Sequence, residues 1–534
     1  MRLSYSLNGT HISTSESDSN VQLTIEKNEN HFLCKAKALN DITLISALEE
    51  SNFEFNPNDT FFINGYQSWT ATQEVPMNFK ERNCPQFKIL KQLVLRPYGD
   101  YEFYKTEKGK LHSYDVFYTK GNKEIFVLSN NFKSAFLIVE LFDGKNILNF
   151  RADIEGKNLA KGQDFVIFDF EIFNSYKEGI ECFNKKYPLR NIPKIFGYTS
   201  WYNYYQDINE EIILRDLNAL DDRFDLFQID DGYETYVGDW MDIDPKKFPN
   251  GLAPIVEKIH SRGFKAGLWL APFVAERESH LFKTHPEYFK KDKDGNPIQV
   301  GVNWSGQCAL DLDNPEVLKY IEKCLTFYKD MGFDLFKLDF IYSSAYTHEG
   351  VTRAEASEKS YKFLKDVLKD KLILGCGATL PSVYQNFDYV RVGPDVSLSF
   401  DDKLYMRLLH RERPSTKFTI QNTVYRHFMN DRWFANDPDV FLLRDENIKL
   451  TLEQRKGLTT MNALFGSLLM TSDNIATYDE EKKKILNYSL VLFKQAKNIN
   501  FVTKGDVIHV TYEIGDSKHD FDYLVNKGVI RNDK

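Results

Sequence analysis

Residues 315–340 read PEVLKYIEKCLTFYKDMGFDLFKLDF. Over Pro315–Lys329 the apolar side chains fall at 317, 318, 321, 325 and 328, the spacing of an amphipathic helix. From Phe333 to Phe340 the period drops to two. Leu335, Lys337 and Asp339 share one face, and Phe336, Leu338 and Phe340 share the other. The apolar face suits packing beneath helices, which turns Lys337 and Asp339 to the inside of the sheet. The same alternation runs outward in both directions. Strands are predicted at Ile195–Trp201, Phe224–Asp230, Phe264–Pro272, Leu372–Gly377, Tyr389–Asp395, Trp433–Leu443 and Ser467–Ser472. Between and after them lie helical patterns at Glu210–Leu220, around Leu252–Ile259, and at 353–370, 402–412, 452–465 and 479–497. Eight strands alternating with helices over about 300 residues fit a (β/α)8 TIM barrel better than a doubly wound sheet. No Gly-x-Gly-x-x-Gly follows the first strand, which disfavours dinucleotide binding.

Upstream the pattern is different. Leu111–Tyr118, Glu124–Leu128, Ala135–Phe142, Ile147–Phe150 and Phe165–Phe173 are short β-branched and aromatic runs separated by Gly, Asn and Asp. They predict an N-terminal antiparallel β-sandwich over residues 1–175. A linking helix (Lys177–Tyr187) occupies 176–192, the barrel 193–498, and a small C-terminal β appendage (Val507–Tyr512, Asp520–Val525) 499–534. The 68 basic and 77 acidic residues leave a net charge of −9, which argues against a nucleic-acid partner. No apolar run is long enough to span a membrane, and the first residues lack a signal-peptide core, so a cytoplasmic protein is expected. The six Cys are scattered without Cys-x-x-Cys and read as reduced thiols. The His residues form no His-Glu-x-x-His, so neither metal nor cofactor is expected.

A barrel of this kind works at the C-terminal ends of its strands. Alternation brings Lys337 and Asp339 there from strand four, Gln228 and Asp230 from strand two with Asp231-Gly232 opening the loop, and Trp269 from strand three. Strand five offers Cys376; strand six points Arg391 inward and delivers Asp395 beyond its end. Unpaired ionised groups are costly in an enclosed site, so a purely structural barrel has little use for this set. Paired carboxylates with a lysine and an aromatic platform suit glycoside hydrolysis. Taken singly, each residue also has a plainer reading. Asp231-Gly232 is a turn, Lys337 with Asp339 an internal ion pair, Cys376 a buried small side chain, Trp269, Trp201 and Trp69 core aromatics, and Asn436–Asp439 a turn.

Asp230-Asp-Gly, Gly267-Leu-Trp-Leu-Ala-Pro-Phe273, Phe336-Lys-Leu-Asp-Phe340, Leu374-Gly-Cys-Gly377 and Arg391-Val-Gly-Pro-Asp395 resemble the strand-end motifs of α-galactosidases of glycoside hydrolase family 36, in clan D. Asn64-Gly-Tyr-Gln-Ser-Trp69 resembles the segment by which that family's sandwich reaches the active site. The likeness runs from about residue 60 to 475. It lacks the Cys-Ser-Gly-Gly-rich strand-five motif of the large tetrameric members and matches the compact bacterial and archaeal type, so no oligomeric state follows. The resemblance implies hydrolysis of terminal α-galactose from small oligosaccharides such as melibiose or raffinose. Asp339 would be the nucleophile and Asp395 the acid/base of a retaining double displacement. Lys337, with Arg391 nearby, would lower the Asp339 pKa, and both would be among the residues that bind the substrate. Asp230 and Asp231 would accept bonds from O4 and O6. Trp269, Trp201 and Tyr202 would wall the sugar, Trp69 would close the pocket, and Cys376 would sit near the sugar hydroxyls. An α-N-acetylgalactosaminidase or raffinose-type transglycosylase on the same scaffold, an inactive carbohydrate-binding protein, and a Schiff-base lyase using Lys337 are the alternative readings.

Overall fold

The structure, a computed structural model, describes the chain except residues 57, 84–102, 104, 347–348, 402, 404–405, 407–411 and 532–534. Two antiparallel seven-stranded sheets build the N-terminal sandwich. The first runs, edge to edge, Thr10–Thr14, Arg2–Leu7, Ile42–Asn52, Ile147–Ala152, Leu137–Phe142 and Lys110–Tyr114, with Asn158–Leu159 beside Ile42–Asn52. The second runs Val21–Lys27, His31–Ala38, Asp164–Phe173, Ile125–Ser129, Val116–Lys120, Thr60–Asn64 and Thr72–Pro76. Alternate residues such as Phe32, Cys34 and Ala36 or Leu137, Val139 and Leu141 point between the sheets and form their core. The second sheet is apolar on its other face as well. There Phe62 and Tyr118 stack at 4.4 Å, and Phe428 of the barrel meets Phe62 edge-on. Runs such as Phe61-Phe62-Ile63 are unbroken because both faces are covered, and this docking holds the loop after Thr60–Asn64 over the barrel.

The chain crosses between the sheets at Asp115, whose φ is 61°. Its buried carboxylate accepts the Leu137 N–H at 2.9 Å. Burial pushes this carboxyl up to about 7. A folded pKa above the unfolded one means that the proton's contribution to stability is complete below about 4 and is lost as pH rises through 7. Asp115→Asn keeps the acceptor and tolerates the left-handed backbone. We expect its gain in Tm over the wild type to be larger at pH 8 than at pH 5. Equal differences in thermal melts at the two pH values would exclude Asp115 as the titrating group.

The barrel strands are Ile195–Thr199, Leu226–Ile229, Lys265–Leu270, Leu335–Leu338, Leu372–Gly375, Tyr389–Arg391, a divided seventh, and Leu468–Thr471, all parallel. The seventh consists of Ala435–Asp437, paired with strand six, and Val440–Phe441, paired with strand eight. The break falls at Pro438-Asp439, where proline has no N–H for a ladder and Asp439 turns to φ 69°. The covalent link across that break closes the barrel.

The helix expected over 177–187 spans Tyr176–Lys186, capped by Ser175. Most of the pattern at 402–412 lies outside the described residues. The helix following strand six is instead Thr416–Tyr425, a stretch not expected to be helical. Thr416 and Thr419–Tyr425 are all buried, polar Gln421, Asn422 and Thr423 included, so no apolar stripe at period 3.6 marks it. The loop after strand three carries its own small sheet, Val274–Glu276, Gln299–Gly301 and Gln307–Ala309. The C-terminal appendage has four antiparallel strands from Lys497 to Arg531 rather than the two expected, because Lys497–Lys504 is mostly solvent-facing and lacks an apolar signature. Among the described residues no helix is long and apolar enough to cross a membrane.

Candidate active site

Strand four ends at Leu338 and places Asp339 at the barrel mouth, its N–H bonded to the Leu270 carbonyl at 2.8 Å. One carboxylate oxygen accepts the Phe340 N–H at 2.8 Å, the other the Trp269 indole N–H at 3.0 Å. The indole expected as an apolar wall therefore also orients a carboxylate. Burial pushes the Asp339 pKa up and the Asp395 charge adds to this, while Lys337, Trp269 and the Cys376 thiol pull it down; the net direction is upward. Lys337 pulls the Asp339 pKa down as expected, but burial outweighs it, and its Nζ is bonded to Asp230 at 2.8 Å. Burial opposes that ammonium, yet Asp230 carries its pKa well above the usual lysine range. Cys376 is buried beside Asp339, where its thiol helps to pull the carboxyl's pKa down, and it is not among the residues that line the two hollows described below.

Asp230 is held on every side. Oδ2 accepts from Lys337, from the Gln228 amide at 2.8 Å and from the Thr199 hydroxyl at 3.1 Å; Oδ1 accepts the Asp231 N–H at 3.1 Å. Asp231 accepts from the Gln206 amide at 3.1 and 3.2 Å and from the Trp304 indole N–H at 3.0 Å. Burial raises its pKa, and burial together with Asp231 drives neighbouring Glu234 well above the carboxylate range, and Glu234 accepts the Gly232 N–H at 3.3 Å. The turn reading of Asp231-Gly232 also holds. Gly232 has φ 116°, and a Cβ there would lie 2.7 Å from the Gln206 backbone.

Asp395 follows strand six and is the most open of the site carboxylates, with 41% of its side chain exposed. Arg391 holds it at 3.1 Å and with the rest of its fork grips Asp437 at 3.1 Å and Asp439 at 2.8 Å. Arg391 had been expected to contact sugar. It is 3% exposed and fully occupied by these three acids, which makes it the support of Asp395. Tyr202 is likewise turned away from the cavity, its hydroxyl bonded to Asp439, because the buried guanidinium layer supplies the partner a buried phenol needs. Burial pushes Asp439 up to about 7. Asp437 and Asp439, read from sequence as turn formers, thus anchor the arginine behind Asp395; the interruption of strand seven is what aims them inward.

Two adjoining hollows share Asn303, Asp339, Phe340 and Asp395. The larger, about 320 Å³, is also lined by Trp201, Gln206, Asp230, Asp231, Trp269, Trp304 and Lys337. The smaller, about 160 Å³, is lined by Trp69, Val302, Glu412, Pro394 and Pro414 and is the more apolar. Trp69 comes from the sandwich, meets Phe340 and Tyr342 edge-on at 5.4 and 5.6 Å, and lies over Gly377, where a Cβ would stand 3.1 Å from its ring. Gln206, Asn303 and Trp304 were not anticipated, because they sit in loops whose path no periodicity reveals; Glu412 was placed at the end of a helical pattern but lies in a turn.

Residues 175–370 match the Melibiase family model. The Melibiase likeness extends to individual proteins. The chain is 31% identical over 184 residues to A type blood alpha-D-galactosamine galactosaminidase of Flavonifractor plautii, covering 30% of this chain and 17% of that protein. It is 30% identical over 154 residues to alpha-galactosidase of Escherichia coli, covering 27% and 21%. These matches span about a fifth of the relatives' own length. The whole fold is shared with TtGalA, the alpha-galactosidase of Thermus thermophilus, at 23% identity with a TM-score of 0.70, covering 97% of this chain and 99% of that one.

Proposed function

We propose that the chain is a retaining exo-α-galactosidase. The observation that carries this reading is that Asp339 and Asp395, from separate strands, line the same two hollows. Asp339 is oriented by two N–H donors and attacks the anomeric carbon, expelling the aglycone oxygen as Asp395 protonates it. Water, deprotonated by Asp395, then releases the sugar from Asp339. The larger hollow suits the galactose. Its Asp230, Asp231 and Lys337 offer fixed polar groups to the hydroxyls, while Trp201, Trp269 and Trp304 offer ring faces. The wrong epimer at C4 would leave a buried acceptor unpaired, at a cost of about 1–3 kcal/mol. The smaller hollow under Trp69 suits the leaving group. The T. thermophilus protein of the same fold was captured with p-nitrophenyl α-D-galactopyranoside. Oligosaccharides of the melibiose or raffinose type are accordingly the substrates proposed, and galactose the product.

The test is hydrolysis of p-nitrophenyl α-galactoside and melibiose followed by proton NMR. α-Galactose is expected as the first-formed anomer; β-galactose would replace double displacement by inversion. A second reading, cleavage of an α-linked amino sugar, is favoured by the match to the F. plautii galactosaminidase. The same panel run with α-galactosaminide and its N-acetyl form separates the two, since the N-acetyl group needs room at C2 and the free ammonium a C2 pocket that accepts its charge.

A further inference from the structure

Arg426, at the C-terminal end of helix Thr416–Tyr425, is fully buried, and no carboxylate among the described residues lies on its fork. Burial pulls its pKa down. Such a cation must be held by hydrogen bonds alone. Its acceptors come from two places. In the sandwich loop it donates to the Ser68 carbonyl, the Asn64 side-chain oxygen at 3.2 Å, the Gln67 carbonyl at 3.4 Å and the Thr70 carbonyl at 3.2 Å. In the barrel it donates to the Val392 carbonyl at 2.6 Å, on the segment leading to Asp395. One nitrogen, Nη1, serves both Ser68 and Val392.

The same helix grips both segments again. Asn422 donates to the Thr70 carbonyl at 2.9 Å and accepts the Thr72 N–H at 2.9 Å. At the other end, the Ser415 N–H donates to the Asp395 carbonyl at 2.7 Å, and the Thr419 hydroxyl donates to the Pro394 carbonyl. Ser68, next to Trp69, is further pinned to Ala378 by bonds of 2.8 and 3.1 Å. Trp69 and Asp395 thus come from separate domains but hang on one helix, and Arg426 is the side chain that touches both of their loops.

We propose that Arg426 is a positioning residue that sets Trp69 of the sandwich and Asp395 of the barrel at a fixed separation around the leaving group. Arg426 touches no substrate; it acts through the two loops. The kinetic part of this inference rests on the reading of Asp395 as the acid/base and Trp69 as the wall of the leaving-group hollow. Lysine in its place keeps the charge but loses the planar fork that serves several acceptors at once. Misplacement of a reacting group by about 1 Å costs on the order of 10²-fold in rate.

The experiment compares wild type, Arg426→Lys, Trp69→Ala and the double variant. Hydrogen–deuterium exchange of the unliganded proteins is the first readout. In Arg426→Lys, exchange is expected to speed up together in 64–72 and 392–396 and to stay unchanged in Ile195–Thr199. Unchanged exchange in either loop overturns the clamp, whatever the enzyme's substrate. The second readout is kcat/KM on melibiose and on p-nitrophenyl α-galactoside. Arg426→Lys is expected to lose on the order of 10²-fold on melibiose, mostly in kcat, and much less on the aryl glycoside, whose leaving group needs little protonation. The loss on adding Arg426→Lys to Trp69→Ala is expected to be smaller than in the wild type; additive losses overturn the coupling. Should Arg426→Lys not fold, Asn422→Ala removes three bonds to the same loop and enters the same cycle, with loosening of 64–72 expected and its absence counting against the clamp. A wild type inactive on every α-galactoside would remove the functional reading while leaving the exchange result to decide the clamp.

Discussion

Asp339→Ala is expected to lower turnover of p-nitrophenyl α-galactoside by on the order of 10⁴-fold or more, the scale set by loss of a nucleophile from a cooperative site. Azide should restore part of it. The small anion fits the space left by the carboxylate and attacks the anomeric carbon from the same face, expelling p-nitrophenolate. The product carries the opposite anomeric configuration, a β-galactosyl azide, because only one displacement has taken place. Isolation of that azide identifies the nucleophile. An Asp339→Ala protein of undiminished activity would refute the assignment. The wild-type pH profile provides an independent check. Asp339 must be ionised to attack, and burial raises its pKa, so kcat/KM should fall on the acid side at a pH above the ordinary aspartate range. The loss appears as pH decreases through that value, the reverse of the Asp115 effect on stability. Bonds from Trp269 and Phe340 to the ionised oxygens limit the rise.

Asp395→Ala should separate substrates by leaving group. With melibiose, whose departing hydroxyl needs a proton, kcat/KM is expected to drop by about 10²–10⁴-fold. With p-nitrophenyl α-galactoside, formation of the galactosyl-enzyme should persist and its hydrolysis should slow, because water now lacks its base. A burst of p-nitrophenolate followed by a slow steady state is the expected stopped-flow trace. Undiminished cleavage of melibiose would remove Asp395 from the acid/base role. Asp395 is suited to proton exchange by its place at the open rim, whereas Asp339 is enclosed. The difference between them follows from position: one ends a barrel strand, the other lies four residues past Arg391 in a loop.

Much of this was legible in the chain because it depends on local periodicity. The switch from alternating short strands to helix–strand repeats near Pro193 marks sandwich and barrel, and two-residue alternation in Phe333–Phe340 turns Lys337 and Asp339 inward. Polar residues at strand ends stood out for the same reason, since an apolar residue is the default there. Helix Thr416–Tyr425 escaped because all but Lys417 and Phe418 are buried, its polar residues included, and such a helix shows no apolar stripe. Trp304 and Gln206 escaped because their loops fold by tertiary contacts. The Asp437-Pro438-Asp439 segment was seen but taken for a turn, since the sequence has no sign that Arg391 waits opposite.

The sequence by itself determined the order of the layers and which carboxylates reach the barrel mouth, because side-chain direction along a strand is settled by its two-residue repeat. Partner choice was decided only in three dimensions. Lys337 went to Asp230 rather than to Asp339, Arg391 to three acids rather than to a sugar, and Arg426 to the loop that carries Trp69. Each is a long, flexible cation that can reach several acceptors, and burial forces it onto whichever set satisfies all its N–H groups at once. Apart from Asp395, four residues from Arg391, these partners lie 34 to 362 residues away, and no local pattern records them.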